Sequence, residues 1–234
     1  LRRQRQMCIR DRSGIVAGMN TKSDKIGYVA AMDSTNSEVT GGIDAFAMGV
    51  EEVNPDAKVL VAVTNSWFSP DDEQAASDAL IDKGCDVLAQ HVDTTAPQTA
   101  SEENGTWAIG YNSDMSKETP DATLTSVIWN WSAYYTSYVN SIVNATYDGS
   151  NYYGGMDESL VGLTGLSSLC EDGTQEKVNE MQQKILSGEF GVFDGEILTN
   201  DGTVIGEEGK TLDDATITGK INWYYHNVEV VDWK

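Results

Sequence analysis

No stretch of this chain is apolar for long enough to span a bilayer, so no segment reads as membrane-crossing. Cysteine is scarce: Cys8, Cys85 and Cys170 make neither a disulfide framework nor a metal-ligating pattern. Basic residues are few, 15 against 37 acidic ones, for a net charge of −22. A surface that acidic repels phosphate backbones and anionic lipid, which sets nucleic acid aside as a partner. The two histidines, His91 and His226, lie beside no nucleophile motif. G-x-S-x-G, P-loop and G-x-G-x-x-G patterns are absent. No cofactor is expected, and the reading is of a protein that is not an enzyme. What is present is a folded composition, 40% hydrophobic and 9% aromatic over 234 residues, enough for one large domain or two small ones.

Residues 1–12 (LRRQRQMCIRDR) differ from the rest. Without their five arginines and one aspartate, the remainder holds 10 basic residues against 36 acidic ones, −26 net. No apolar h-region follows, so they do not read as a signal peptide. The string QRQMCIRDR looks like a translated sequencing adapter joined to a shortened reading frame. It is set aside from the fold, with the expectation that the natural N-terminus is missing.

From residue 25 strands and helices alternate. Residues 25–31 (KIGYVAA) have strand length. Val39, Ile43, Phe46, Val50 and Val53 then recur at helical spacing until Asn54-Pro55-Asp56 stops them. Residues 58–63 (KVLVAV) read as a second strand. Ser69-Pro70-Asp71-Asp72 opens a second helix with a capping serine, proline in the first turn and acids at the positive end of the dipole. Asp71, Asp72 and Glu73 read as a solvated helix start, not a metal site. Residues 86–90, a helix over 96–103, and strands at 107–111 and 123–129 follow. A Tyr-rich helix is expected over 132–147, a strand over 160–166 and a helix over 175–186. Asn200-Asp201-Gly202 marks a hairpin, and residues 221–231 read as extended. Repeated strand–helix–strand units imply a parallel sheet, whose ligands bind at the carboxyl ends of the strands.

Those ends carry the candidate site. Trp67-Phe68 follows a buried strand and reads either as packing against a neighbouring lobe or as a stacking platform for a planar ring. Gln90, His91 and Asp93 could offer donors and acceptors to a heterocycle edge, although a structural histidine is as common. Asn112 and Asp114 follow the fourth strand, and Asp114 could simply cap a turn. Trp129 and Trp131 flank Asn130; their indole N–H groups need partners, which favours a ligand or hinge role. Tyr134, Tyr135 and Tyr138 read as interface packing, and Cys85 as a small core residue.

The runs KIGYVAAMDSTNSEVTGGIDAFAMGVEEVNPDAKV, NSWFSPDDEQAASDALIDKGCDVLAQHVDTTAP, AIGYNSDMS and LTSVIWNWSAYYTSYV, in that order, resemble the BMP (basic membrane protein, purine-nucleoside-receptor-like) family of ABC-transporter substrate-binding proteins. The resemblance covers residue 14 to the C-terminus. It implies an α/β fold like that of type I periplasmic binding proteins: two parallel-sheet lobes with a hinge, the first incomplete here. Residues 13–24 would end a connection between lobes. Residues 25–112 would form lobe 2, residues 113–154 a return to lobe 1, and residues 155–234 a return to lobe 2 with a C-terminal hairpin.

The resemblance further implies an extracytoplasmic protein, lipid-anchored in full-length form, that hands a small molecule to an ABC permease. Nucleoside-binding members place a stacking aromatic where this chain has Trp67-Phe68. They place a sugar-binding acid where it has Asn112, and a lysine close to Trp129. Without those two charges, a free purine base is expected over a nucleoside. A sensory ligand-binding domain on the same fold is the alternative, and a nucleoside-processing enzyme a remoter one.

Overall fold

A computed structural model describes residues 4–150, 156 and 158–234, with side chains from Ile9 onward. Seven helices and nine strands alternate along the described residues. They are α1 (Gln4–Asn20), β1 (Lys25–Ala30), α2 (Ser37–Val53), β2 (Lys58–Val63), α3 (Pro70–Asp82), β3 (Val87–His91), α4 (Ala96–Asn104) and β4 (Trp107–Asn112). Then come β5 (Thr123–Trp129), α5 (Trp131–Val143), β6 (Val161–Leu163), α6 (Thr174–Ser187), β7 (Asp194–Leu198), β8 (Val204–Thr211), α7 (Asp214–Gly219) and β9 (Val228–Val230).

Seven strands form one sheet in the order β6-β5-β4-β3-β1-β2-β9. Every pair is parallel except β5 with β6. Alternation along β1 shows why helices cover both faces. Ile26, Tyr28 and Ala30 join a core with Ile15 and Val16 of α1, Ile43 and Phe46 of α2 and Met181 of α6. Val29 and Ala31 point the other way, into a cluster with Ala76 and Leu80 of α3. Tyr28 meets Phe46 edge to face, centroids 5.3 Å apart. The β7–β8 hairpin forms a separate two-stranded sheet over a third cluster built on Phe193, Ile217 and Ile221.

Two stretches bear on where the packed fold extends. Residues 9–12 are part of the packed fold: Ile9, Arg10, Asp11 and Arg12 are buried in α1. They are held there by a close helix crossing. A Cβ on Gly49 of α2 would lie 1.8 Å from the Asp11 carbonyl oxygen, and one on Gly14 would lie 2.0 Å from that of Phe46. The side chain of Cys8 lies outside the described residues. Within residues 113–154, β5 continues the main sheet, pairing with β4 from Ala108 to Asn112. The 154/155 boundary itself lies outside the described residues.

Local chemistry sets most element ends. Asn36 caps α2, its side chain accepting from Glu38 N at 3.1 Å and Val39 N at 3.2 Å. Ser69 begins α3, but its hydroxyl makes no cap bond; it donates instead to Asp72 Oδ2 at 2.9 Å. The Ser69 amide is satisfied by Glu73 Oε1 at 2.9 Å. That places Glu73 inside the fold, fully buried, and corrects its reading as part of a solvated helix start. Gly202, at φ 85°, turns the β7–β8 hairpin where Asn-Asp-Gly predicts it. Helix α7, capped by Asp213 through Thr216 N, was not anticipated.

Candidate functional site

The order of strands reverses between β1 and β3: β2 lies on the far side of β1, and β4 on the far side of β3. In an open parallel sheet this reversal leaves a crevice at the carboxyl ends, the usual ligand position. Ala30 and His91 face each other across it. Asn65 and Asn112, just beyond β2 and at the end of β4, adopt left-handed backbone with φ 58° and 71°. Asparagine tolerates that region better than larger side chains, so both chain ends turn sharply into their loops.

Beneath this rim lies a packed aromatic and polar cluster. His91 is buried, its ring edge-on to Trp67 at 5.7 Å and to Tyr111 at 4.8 Å. A Cβ on Gly42 of α2 would lie 3.0 Å from His91 Cε1, so glycine there makes room for the imidazole. Burial, and then the nearby Arg10 guanidinium, hold the His91 pKa well below the ordinary value, keeping the ring neutral. Arg10 lies 4.6 Å over the Tyr111 ring and donates to Tyr28 Oη and to the Gln90 carbonyl, both at 3.0 Å. Gln90 is buried too, its Nε2 donating to the Val92 and Thr94 carbonyls at 2.8 Å each. These groups support the rim from below.

The loops after β2 and β3 are joined by the Asp93 amide, which donates to the Trp67 carbonyl at 2.8 Å. Beside this link an open cavity of about 600 Å³ is lined by Phe68, Pro70, Asp71, Gln74, Asp93 and residues 94–96 and 99. Phe68 is 70% exposed and supplies its largest free apolar surface, while Trp67 is half-buried. Carboxylates, threonine hydroxyls and an amide surround that ring. Such a lining suits a planar solute rich in hydrogen-bond donors. Among the described residues no group of three or more His, Cys, Asp or Glu side chains is placed to hold a metal ion.

The expected site residues therefore divide. Trp67, Phe68, Gln90, His91 and Asp93 come together around the crevice, Phe68 and Asp93 on the open cavity and Gln90 and His91 below it. Asp114 closes its own turn, accepting from Ser116 N at 3.1 Å and Ser116 Oγ at 2.6 Å, bonds that lower its pKa. Trp129 and Trp131 stack on each other, centroids 5.3 Å apart and planes 13° from parallel, at the end of β5. Two strand spacings, about 10 Å, separate β5 from β3. Asn112 is exposed at the end of β4. Tyr134, Tyr135, Tyr138 and Tyr147 contact one another along and beyond α5, which buries none of its residues. Arg10, Tyr28, Tyr111 and Glu73 were missed. Arg10 was set aside with residues 1–12, Tyr28 and Tyr111 sit within strands, and Glu73 hides in an acidic run.

The model of the Bmp family, described as ABC transporter substrate-binding protein PnrA-like, matches residues 13–195. The chain belongs to this family. It is 35% identical over 216 residues to a purine-binding protein of Brucella abortus (strain 2308), covering 92% of this chain and 61% of that one. It is 34% identical over 183 residues to a putative ABC transporter glucose-binding protein of Haloferax volcanii, covering 78% of this chain and 46% of that one. It thus spans only part of the length of either relative. Among solved structures it resembles a transcriptional activator of the comK gene from Bacillus halodurans. That match has a TM-score of 0.71 at 21% identity and covers 79% of this chain and 64% of the other. It also resembles an ABC transporter solute-binding protein from Aeropyrum pernix K1, with a TM-score of 0.69 at 16% identity and the same coverages. These two likenesses establish the fold: α/β with a largely parallel central sheet. No helix among the described residues is long and apolar enough to cross a membrane.

Proposed function

We propose that this Bmp-family chain binds a flat, neutral, nitrogen-rich heterocycle, a purine base or nucleoside, at the carboxyl ends of β1–β4. The protein it belongs to would deliver that solute to an ABC permease from an extracytoplasmic, lipid-anchored position. The observation that carries this reading is the exposed Phe68 ring beside the Asp93 carboxylate, at the end of the sheet where the strand order reverses. Stacking on Phe68 recognises the ring face, and Asp93 and Asp71 accept from exocyclic N–H groups. Their negative charge disfavours phosphorylated ligands.

Within the purines, the free base is preferred. Asn112 stands where nucleoside-binding members of the family carry an acid, and Trp129 stands close to their lysine, so two charges that hold ribose hydroxyls are replaced. Calorimetric titration with adenine, hypoxanthine, adenosine and inosine tests this. Tighter binding of the nucleosides would overturn the base preference, and no heat with any of the four would overturn the purine reading. The glucose-binding name of the Haloferax relative favours a hexose as the second reading, so glucose is the fifth titrant.

A further inference from the structure

Glu73 is fully buried in the first turn of α3, yet its carboxyl group reaches two separate loops. Oε1 accepts from Ser69 N at 2.9 Å, next to Phe68. Oε2 accepts from the Thr94 hydroxyl, next to Asp93. The Thr94 oxygen in turn accepts from Ala96 N at 3.1 Å, in the first turn of α4. One side chain therefore spans from the Phe68 wall of the cavity to its Asp93 wall, and on to a second helix.

A buried carboxyl held by neutral donors is an expensive way to fill space that leucine would fill. A cap for α3 alone would need only the Ser69 bond. The second bond, to Thr94, adds nothing to α3. It fixes the loop after β3 against the loop after β2. The Asp93 N to Trp67 O bond joins the same two loops without using Glu73.

We infer that Glu73 is a positioning residue for ligand recognition, setting the separation of the Phe68 ring and the Asp93 carboxylate. This rests on the reading of that cavity as the ligand site. Glu73 touches no solute. It acts by keeping the two walls at one spacing, so that a ring stacked on Phe68 presents its edge to Asp93. Holding the walls before the ligand arrives removes the ordering cost from the binding step.

The decisive variant is Glu73→Leu in the full chain, which keeps the volume and burial and deletes both bonds. Glu73→Gln keeps the span, with an acceptor for Ser69 N and a donor toward the Thr94 oxygen. Adenine is the probe, with Phe68→Ala and Asp93→Asn as reference variants. The expected result has three parts. Glu73→Leu melts within a few degrees of the parent and binds adenine at least tenfold more weakly. Glu73→Gln restores affinity to within about threefold. The Asp93 amide, which is not a partner of Glu73, exchanges at least tenfold faster in Glu73→Leu.

If Phe68→Ala and Asp93→Asn weaken adenine while Glu73→Leu binds it normally, the positioning role is wrong and the site reading stands. If the reference variants bind adenine unchanged, or adenine fails to bind the parent, the site reading fails, and with it the inference. Unchanged Asp93 amide exchange in Glu73→Leu would overturn the tie between the loops with any ligand or none.

Discussion

The Trp67 indole stands edge-on to the His91 imidazole, planes 80° apart, and the same imidazole meets Tyr111 on another side. His91 is therefore a packing element beneath the rim, and its chemistry follows from burial. The unfolded chain takes up a proton near the ordinary histidine value of 6.5, while the folded chain refuses it well below that. Stability from this residue is therefore present above about pH 6.5 and lost as pH falls. The His91 ring resonances should stay fixed between pH 8 and 5, and replacement by Phe should flatten the acid side of the stability profile. Titration of the ring near pH 6 would refute the assignment.

The absence of a Cβ on Gly42 is what admits that ring. Alanine there puts a methyl 3.0 Å from His91 Cε1 and 3.2 Å from Nδ1, and Trp67 and Tyr111 leave the imidazole little room to retreat. Overpacking costs about 1–3 kcal/mol. The helix preference of alanine over glycine returns about 1 kcal/mol. A net loss of about 0–2 kcal/mol is expected from urea unfolding of Gly42→Ala. The double variant Gly42→Ala/His91→Ala should show the methyl cost cancelled, because the smaller side chain frees the space. Strict additivity of the two changes would contradict this contact.

Some of this was legible in the residues and some was not, for physical reasons. Strands β1 to β5 carry short apolar runs, α2 carries helical spacing, α3 carries start and stop signals, and Asn-Asp-Gly names its own turn. Helix α7 has six residues and buries only Ile217, so no periodicity betrays it. Glu73 is one of three consecutive acids; Asp71 is exposed and Glu73 is buried, and only the tertiary contact with Thr94 separates them. Residues 9–12 look foreign by charge, but the crossing set by Gly14 and Gly49 draws them against α2 whatever they are. Pattern reports what a side chain prefers. It does not report which distant loop will supply a partner.

Cys85 illustrates a thiol removed from chemistry by its surroundings. It packs with Leu80 and Leu88, and burial, with Asp86 nearby, pushes its pKa up to about 12. The thiolate is the reactive form, and it is scarce at neutral pH. An aromatic disulfide reagent should leave the Cys85 peptide unlabelled in the native protein over hours and label it within minutes in denaturant. Rapid native labelling would show that the loop after α3 opens.

Asp11 gives the sharpest test of how residues 9–12 sit in the fold. It is fully buried, and the Arg12 charge and backbone N–H compensate its carboxyl group only in part. Burial raises its pKa from 3.8 to about 8, against the opposing pull of Arg12. The sign follows from proton binding. Below pH 3.8 both states hold the proton and no penalty exists. Between 3.8 and about 8 the folded chain keeps a proton the unfolded chain releases, so stability falls as pH rises across that window. Replacement by Asn removes the charge and with it the slope. Urea unfolding should therefore find Asp11→Asn more stable than the parent at pH 8, by an amount on the order of 5 kcal/mol. That difference should shrink steadily toward pH 4. A gain of the same size at both ends of the range would mean that packing, and not ionisation, is what the substitution relieves. No gain at pH 8 would mean that α1 frays around Asp11 and lets water reach it.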